Sequence, residues 1–330
     1  MIRRRTLLVS TTVAGAGLAA PAVWAQPRNP SWPRAITMGT AAPGGTYAVY
    51  GPAWGQLAAA ATGVNISYRT TQGPNQNIVL VDQKQVELGM VTMGVALQAW
   101  EGQGEWTRGN KFRNIRALFP MYDTPFHTVA LRRSGISNIE QLAGKSVGVG
   151  PRGGTPGTYW PLIFRALNVA PSRIGFGSGA DMIGQVSDGL LDAFAFAAGV
   201  PIPSFSEIET TNEVTIFGFT EAQMDTVVKA LPELSKGTVA AGTYRSVQGA
   251  MNILGVYNFA IGHKDLPEDL VYEIVKSIMT QNAALVQAIS TAKETVPDNV
   301  TKNSFLPFHP GAAKWFRENG HAIPDNLIMA

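Results

Sequence analysis

The chain has 330 residues, no cysteine and a formal net charge of +3 at pH 7. The lack of cysteine excludes disulfides and thiol chemistry, and the length is sufficient for two lobes with a buried core. Arg3, Arg4 and Arg5 account for the excess positive charge, since without residues 1–25 the basic and acidic residues number 23 each. The basic pI therefore gives no indication of nucleic-acid binding.

Residues 1–25 have the pattern of a cleaved export signal. Three arginines precede a weakly apolar stretch over 6–20, and Val23 and Ala25 place small residues before the expected cleavage point. The stretch is shorter than the roughly 20 residues of a membrane span. The arginines are compatible with either the twin-arginine or the general secretory route. We expect a periplasmic protein that is cleaved after Ala25.

The next elements alternate between strands and helices. The patterns predict a strand over 35–40, a helix over 47–62, a strand over 64–70, a helix over 77–84 and a strand over 87–92. A glycine loop, residues 44–46, joins the first strand to the first helix, and Thr46 is suited to cap that helix. The segment TQGPNQN, residues 71–77, is a polar turn.

The same order of elements returns further along the chain. A strand is predicted over 145–150, a glycine loop at 153–155, helices over 158–168 and 181–188, and a strand over 192–197. Alternating strands and helices predict an α/β fold with mostly parallel sheets. Because the order occurs twice, we expect two similar lobes.

Two crossings between the lobes are expected, at 119–128 and at 251–262. Pro120 and Pro125 disfavour helix in the first of them. A helix over 265–289 then completes the first lobe, and two crossings of this kind form a hinge around a ligand cleft. The predicted division is a signal at 1–25, lobe I over 26–124, lobe II over 125–258 and the completion of lobe I over 259–330.

The two glycine loops are the main candidates for ligand contact. Each is followed by a helix N-terminus, which presents unpaired N–H groups and a partial positive charge suited to a small anion. Glycine in such turns also serves geometry alone. Tyr47 and Tyr159 follow the loops and either face the cleft or pack in the core. Arg69 and Arg152 are the nearest cations, and each is either a bidentate partner for a carboxylate or a surface residue.

Enzyme motifs are incomplete in this chain. GKSVG, residues 144–148, matches G-x-S-x-G, but its strand follows the serine instead of preceding it. A phosphate-binding loop would require glycine where Ile139 stands. The four histidines lack the spacing of a metal site, and no dinucleotide fingerprint is visible. We expect no catalytic residue, no cofactor and no metal.

Five motifs in order resemble one family. They are GTAAPGGTYAVYG at 39–51, SGISNIEQLAGKSVGVGPRGGTPG at 134–157, GLLDAFAFAAGVP at 189–201, GTVAAGTYRSVQ at 237–248 and LPFHPGAAKWFRENG at 306–320. Together they resemble the TAXI-type solute receptors of tripartite ATP-independent periplasmic (TRAP) transporters. The resemblance implies a type II-like periplasmic binding protein with a cleft between two lobes. It also implies a small carboxylate ligand, of the amino acid or dicarboxylate type, and a TRAP-type membrane permease as partner.

The resemblance also implies a set of ligand-binding residues. They are Gly44, Gly45, Thr46, Tyr47, Thr71, Gln72, Gly73, Asn77, Gly153, Gly154, Thr155, Gly199 and Val200. Arg152 joins them as the cation next to the second loop. The chain departs from the family at Pro74, and at Gly153 or Gly154, where serine is usual. Because two hydroxyl donors are missing, the ligand can be less polar or larger.

Other functions suit the same two lobes. One alternative is a ligand-binding subunit of a sensory system, and another is the receptor of an ABC importer for aromatic or sulfonated acids. The HPGA sequence at 309–312 argues against the ABC reading. An exported enzyme is a further alternative that no motif supports.

Overall fold

The computed structural model of this protein describes residues 29–328. The predicted export signal at 1–25 lies outside the described residues. Two β-sheets flanked by helices make up the architecture. Across residues 29–328, no helix is both long enough and apolar enough to cross a membrane.

The described residues form the following strands and α-helices. The strands are β1 (Ala35–Gly39), β2 (Asn65–Arg69), β3 (Leu88–Thr92), β4 (Ile115–Asp123), β5 (Phe126–Leu131), β6 (Ser146–Gly148), β7 (Arg173–Gly175), β8 (Ala193–Ala197), β9 (Val214–Phe217), β10 (Ser235–Val239), β11 (Met251–Gly255) and β12 (Tyr257–His263). The helices are α1 (Tyr47–Thr62), α2 (Pro74–Asp82), α3 (Met93–Glu101), α4 (Thr155–Ala166), α5 (Gly179–Ser187), α6 (Pro203–Thr211), α7 (Glu221–Ala230), α8 (Glu268–Thr280), α9 (Asn282–Ala288) and α10 (Pro310–Glu318).

The first sheet has the strand order β2-β1-β3-β12-β4. Strand β1 runs parallel to β2 and β3, whereas β12 runs antiparallel to β3 and β4. Every residue of β3 is buried, as expected for a central strand covered on both faces. Helices α2, α8 and α10 contact strands of this sheet, and α1 packs against β2 and α8.

The second sheet has the order β10-β11-β5-β8-β6-β7, and β9 also pairs with β5. Strand β6 runs parallel to β7 and β8, and the other pairings are antiparallel. The apolar sequence AFAFA of β8 is buried throughout, in the middle of the sheet. Helices α4 and α5 pack on β8, and α7 packs on β10 and β11.

The predicted α/β class with two sheets is confirmed, but the sheets are mixed instead of mostly parallel. The difference arises because strands that enter or leave a sheet at a crossing, such as β4, β5 and β12, run antiparallel to their neighbours. Sequence patterns locate such buried strands but do not give their direction.

Several predicted helix ends differ from the observed ones. Helix α2 begins at Pro74, since proline has no N–H to lose at a first helical position. Helix α4 likewise begins earlier, at Thr155. The long helix predicted over 265–289 is interrupted at Gln281 and forms α8 and α9. Asp265 does not cap it, and pairs with Lys84 through a 2.7 Å contact instead.

The chain crosses between the sheets at two adjacent places. It leaves β4 for β5 through Thr124, and it returns from β11 to β12 through Val256. The Thr124 N–H donates to the Val256 carbonyl at 3.0 Å, and the Val256 N–H donates back at 3.3 Å. The buried Asn258 Nδ2 donates to the carbonyl of Tyr122 and to Thr124 Oγ1, both at 2.6 Å. The two crossings are therefore joined to each other.

A carboxylate stands at the first crossing. Asp123 Oδ1 accepts the Thr124 N–H at 2.9 Å, and the Asp123 N–H donates to Glu294 Oε2 at 2.9 Å. Burial and, secondarily, the negative charge of Glu294 raise the pKa of Asp123 to about 6. The folded protein therefore holds this proton more tightly than the unfolded chain, whose aspartates have a pKa near 4.

We predict that Asp123 makes the protein less stable as the pH rises from about 4 to 6. A raised carboxyl pKa stabilises the fold at low pH, and that stability is lost through this window. Asp123→Asn keeps the acceptor for Thr124 but removes the titration. It should raise the free energy of unfolding at pH 7 by about 2 kcal/mol and change it little at pH 4. Denaturant unfolding at both pH values measures this, with the exposed Asp188→Asn as control. The same pH dependence in wild type and Asp123→Asn would contradict the prediction.

Candidate functional site

A cavity with about 440 Å3 of empty space, part of it open to solvent, lies between the two sheets. It is lined by residues at the carboxyl ends of β1, β3 and β8, including Ala41, Thr92 and Phe196. Thr124 of the first crossing also lines it. The carboxyl ends of strands are where α/β folds bind ligands.

Four helices begin at this cavity. The lining residues at their starts are Tyr47 of α1, Pro74 of α2, Thr155 of α4 and Gly179 of α5. Each helix N-terminus carries the equivalent of about half a positive charge. Pro74 has no N–H, so α2 contributes its dipole without a donor at that position. The convergence makes the cavity electropositive.

Unpaired backbone donors surround the cavity. Within residues 29–328, the N–H groups of Gly45, Thr46, Tyr47, Thr155 and Gly179 have no hydrogen-bond acceptor. All five residues line the cavity. Donors at helix N-termini are suited to a carboxylate or another small anion.

Two hydroxyl groups at the cavity donate their protons to other groups of the protein. Thr46 Oγ1 donates to the Gly199 carbonyl at 2.6 Å, and Tyr47 Oη donates to Asn258 Oδ1 at 2.5 Å. Burial raises the pKa of Tyr47 well above its ordinary value, so that its hydroxyl stays protonated. Both oxygens can therefore accept a hydrogen bond from a ligand but cannot donate one. Thr46 is the N-cap residue of α1, as expected, but its side chain makes no capping hydrogen bond to that helix.

Other hydroxyl groups keep a proton for the cavity. Thr124 Oγ1 accepts from Asn258 Nδ2, and its own proton has no acceptor in the described part of the chain. The hydroxyl oxygens of Thr92 and Thr155 lie 2.9 Å apart, so one donates to the other and the second proton stays available. These protons add to the backbone donors.

No lysine, arginine, histidine, aspartate or glutamate among the described residues lines the cavity. Arg152 is exposed, and its guanidinium lies over the ring of Phe176 at 3.7 Å from the centroid. Arg69 is exposed on β2. Neither of the two nearby cations therefore contributes a charge to the lining.

Half of the predicted ligand residues line the cavity. Those that do are Gly45, Thr46, Tyr47, Gln72, Gly73, Gly154 and Thr155. Those that lie outside the lining are Gly44, Thr71, Asn77, Arg152, Gly153, Gly199 and Val200.

Some residues outside the lining join the two sheets' loops across the cavity mouth. The Gly153 N–H donates to Gln72 Oε1 at 3.0 Å, and the Gly153 carbonyl accepts the Asn75 N–H at 3.2 Å. Gly44 has a positive φ of 86°, and the backbone of Gly179 lies directly against it. These glycines allow two backbones to touch, which a side chain would prevent.

The carbonyls of Gly199 and Val200 also accept hydrogen bonds from residues on the side of the first sheet. The Gly199 carbonyl accepts from Thr46, and the Val200 carbonyl accepts from Thr291 Oγ1 at 2.9 Å. The motif at 189–201 thus supplies contacts between the lobes. Its strand β8 supplies the cavity floor through Phe196, which the sequence prediction did not include.

Asn77 and Thr71 are part of the scaffold beneath the first glycine loop. Asn77 is fully buried, and its Nδ2 donates to the carbonyls of Thr40 and Met90, both at 3.0 Å. Its Oδ1 accepts from Thr71 Oγ1 at 2.8 Å. The side chain therefore ties α2 to β3 and the loop after β1, and has no free amide hydrogen for a ligand.

We predict that Asn77→Ala lowers the free energy of unfolding of the ligand-free protein by roughly 2–4 kcal/mol. The substitution removes the two amide hydrogen bonds to the carbonyls of Thr40 and Met90 and the bond from the Thr71 hydroxyl to Asn77 Oδ1, although that hydroxyl can still donate to the Thr40 carbonyl at 3.0 Å. Each lost hydrogen bond costs about 1 kcal/mol, and the space left by the buried side chain adds to the loss. Denaturant unfolding measures the change. Gln83→Ala, at the exposed end of the same helix, should change stability by less than about 0.5 kcal/mol. Equal effects of the two substitutions would show that Asn77 is not a scaffold residue.

Sequence reasoning missed Thr92, Thr124, Gly179 and Phe196. Three of them end a strand or begin a crossing or helix at the cavity, but only the sheet order shows that these ends meet. Thr92, at the end of β3, provides one of the buried hydroxyls. The sequence signal that could have indicated such residues is their position at the end of a predicted strand.

The chain was compared with known families and solved structures. A family model described as the NMT1-like family matches residues 38–320, which is most of the chain. This protein belongs to the NMT1-like family. The match covers both sheets and the cavity, so this NMT1-like chain carries the family's fold over its whole described core.

Solved structures agree with the fold. The periplasmic binding protein BugD has a TM-score of 0.57 and 13% identity, covering 88% of this chain and 99% of that chain. A structure on glutathione import via GshT and the cystine ABC importer TcyBC of Streptococcus mutans has a TM-score of 0.52 and 15% identity, covering 82% and 99%. An ancestral arginine-binding protein bound to arginine has a TM-score of 0.51 and 12% identity, covering 79% and 99%. At such identities the NMT1-like chain shares their fold, and its ligand must be argued from its own cavity.

Proposed function

We propose that this NMT1-like protein is a solute-binding receptor that captures a small carboxylate between its lobes. The observation that carries the proposal is a set of unpaired N–H groups, mostly at helix N-termini, on residues that line a cavity to which residues 29–328 contribute no charged side chain. A hydrogen bond to a charged group contributes about 1.5–3 kcal/mol. Several such bonds, aided by the helix dipoles, are sufficient to hold one carboxylate.

The lining favours binding over catalysis. The polar side chains at the cavity are threonines, Gln72 and Tyr47, whose hydroxyl stays protonated. General acid–base chemistry needs a group with a pKa near the working pH, and nucleophilic chemistry needs an activating base. The cavity residues therefore recognise a solute and leave it unchanged.

We further infer that the two sheets belong to two lobes that close on the solute. The division follows the predicted one, with lobe I over 26–124 and 259–330 and lobe II over 125–258. Thr46 to Gly199 and Thr92 to Thr155 are hydrogen bonds that join the lobes in the closed form. A ligand that contacts both lobes favours this form over an open one.

The expected location is outside the cytoplasm, with delivery of the solute to a membrane importer. The motifs resemble receptors of TRAP-type permeases, whereas the Streptococcus mutans relative is described with an ABC importer. The family match carries no TRAP assignment. We therefore favour an ABC importer as the partner over a TRAP permease, and both over a sensory kinase.

The source of energy for uptake separates these partners. In cells that make this receptor, uptake of its solute through an ABC importer should stop when ATP is depleted while the ion gradient is kept. Uptake that instead stops only when the gradient is collapsed would support the TRAP-type permease. A receptor that binds without any uptake would support the sensory alternative.

The test of receptor function is a thermal-shift screen of residues 26–330 against carboxylates, amino acids and sugars. A ligand at a hundredfold excess over its dissociation constant stabilises the folded protein by about 2.7 kcal/mol. We expect a shift with a carboxylate and none with sugars. A shift with sugars alone would contradict the proposed function.

We predict that Gly179→Ala weakens binding of the shifting carboxylate at least tenfold. A Cβ at Gly179 would lie 2.9 Å from the Gly44 carbonyl carbon and 3.0 Å from its oxygen, so closure would be blocked. Because Gly179 is the first residue of α5, alanine should leave the melting temperature of the free protein nearly unchanged. Isothermal titration measures the affinity.

Gly184→Ala is the matched control for this substitution. Gly184 lies in the same helix, and a Cβ there meets nothing within 4 Å. It should bind as the wild type does. Wild-type affinity in Gly179→Ala would show that ligand binding does not require the Gly44–Gly179 contact.

A further inference from the structure

We propose that the ligand is a monocarboxylate with an apolar body, and neither an amino acid nor a dicarboxylate. The inference rests on the proposed function and narrows its substrate class. It follows from the chemical identity of the residues that line the cavity.

The donors of the lining residues suit a single anion. Thr46 and Tyr47 in lobe I and Thr155 and Gly179 in lobe II line the cavity, and their N–H groups are unpaired in the described chain. They come from the starts of α1, α4 and α5, so donors from both lobes meet there. A carboxylate has about four acceptor positions, which is the number that these donors can fill.

Within residues 29–328, no carboxylate lines the cavity to pair with an ammonium group. A buried ammonium needs a carboxylate beside it, because an unpaired ion loses several kcal/mol of hydration. The acidic group nearest along the chain is Asp123, and its carboxylate faces the Gly255 backbone and accepts the Thr124 N–H. The oxygens of Thr46 and Tyr47 are neutral acceptors, which suit a hydroxyl better than a full positive charge.

Much of the cavity lining is apolar. Phe196 and Ala197 of β8, with Ala198 directly after it, form one wall, and Pro151 and Pro156 also line the cavity. Phe196 is nearly fully buried, and the edge of its ring lies 3.7 Å from a Cβ built on Gly45. A second carboxylate would be placed against these groups without a cation, since Arg152 is held on Phe176 outside the lining. Aliphatic or aromatic groups, in contrast, gain free energy from burial against this wall.

The test compares four probes that differ in charge but little in size. They are 4-methylpentanoate, leucine, glutarate and 4-methylpentanamide, titrated calorimetrically into protein refolded from guanidinium to remove carried-over ligand. Leucine adds an ammonium group to the first probe, glutarate replaces its two terminal methyl groups with one carboxylate, and the amide removes its charge. We expect 4-methylpentanoate to bind at least thirtyfold more tightly than each of the other three.

The possible results distinguish a failure of this inference from a failure of the proposed function. Leucine or glutarate binding as tightly as 4-methylpentanoate would overturn the inference and leave the carboxylate receptor standing. The amide binding as tightly would overturn the anion site and with it both proposals. Binding by none of the four probes would overturn the inference, and the thermal-shift screen would then decide the receptor function separately.

A pair of variants ties the preference to this cavity. Ala42→Asp adds a carboxylate to the lining, while Val49→Asp adds one on the exposed face of α1, away from the lining. The ratio of leucine affinity to 4-methylpentanoate affinity should rise at least tenfold in Ala42→Asp and stay unchanged in Val49→Asp. Because the ratio is measured within each variant, a loss of stability does not imitate the effect. Equal ratios in the two variants would overturn the assignment of the preference to this cavity.

Discussion

The close approach of two backbones across the cleft is the constraint on which the rest of the structure depends. Gly44 lies against Gly179 on one side of the cavity, and Gly73 lies against Gly154 on the other, where a Cβ would be 3.1 Å from the opposing Cα. Only residues without a side chain allow helix N-termini from both lobes to reach the same small volume. The cavity, its unpaired donors and its closure all follow from these two contacts.

Because of that packing, the positive potential of the cavity comes from backbone groups instead of charged side chains. Helix dipoles and N–H groups are fixed by the fold, so they bind an anion without first ordering a long side chain. Arg152 would have added charge at a higher entropic cost, and the structure keeps it on Phe176 instead. The hydroxyls of Thr46 and Tyr47, committed to Gly199 and Asn258, contribute to the closed geometry. In the proposed function, recognition and closure share residues, and the apolar wall decides which carboxylate is accepted.

The sequence predicted features that depend on neighbouring residues, but it did not predict features that depend on contacts with the other lobe. Helix α1 was predicted over its full length, and both glycine loops were located, because glycine and helix periodicity leave local signals. The sequence could not show where the Thr46 hydroxyl donates its proton, since the acceptor, the Gly199 carbonyl, lies 153 residues away. Asn77 looked like a ligand residue because polar turns resemble binding loops, although its amide bonds to the carbonyls of Thr40 and Met90. The resemblance to TAXI receptors indicated the right fold, while the family match names the NMT1-like family and carries no TAXI assignment.

The most direct test of the account is a ¹H–¹⁵N NMR titration with 4-methylpentanoate that follows the backbone amides. A carboxylate held by helix N-termini should move the amide proton resonances of Gly45, Thr46, Tyr47, Thr155 and Gly179 downfield, since each gains a charged acceptor. The guanidinium resonances of Arg69 and Arg152 should stay in place. Shifts confined to either arginine, with the five amides unmoved, would contradict the claim that the fold's own dipoles bind the ligand.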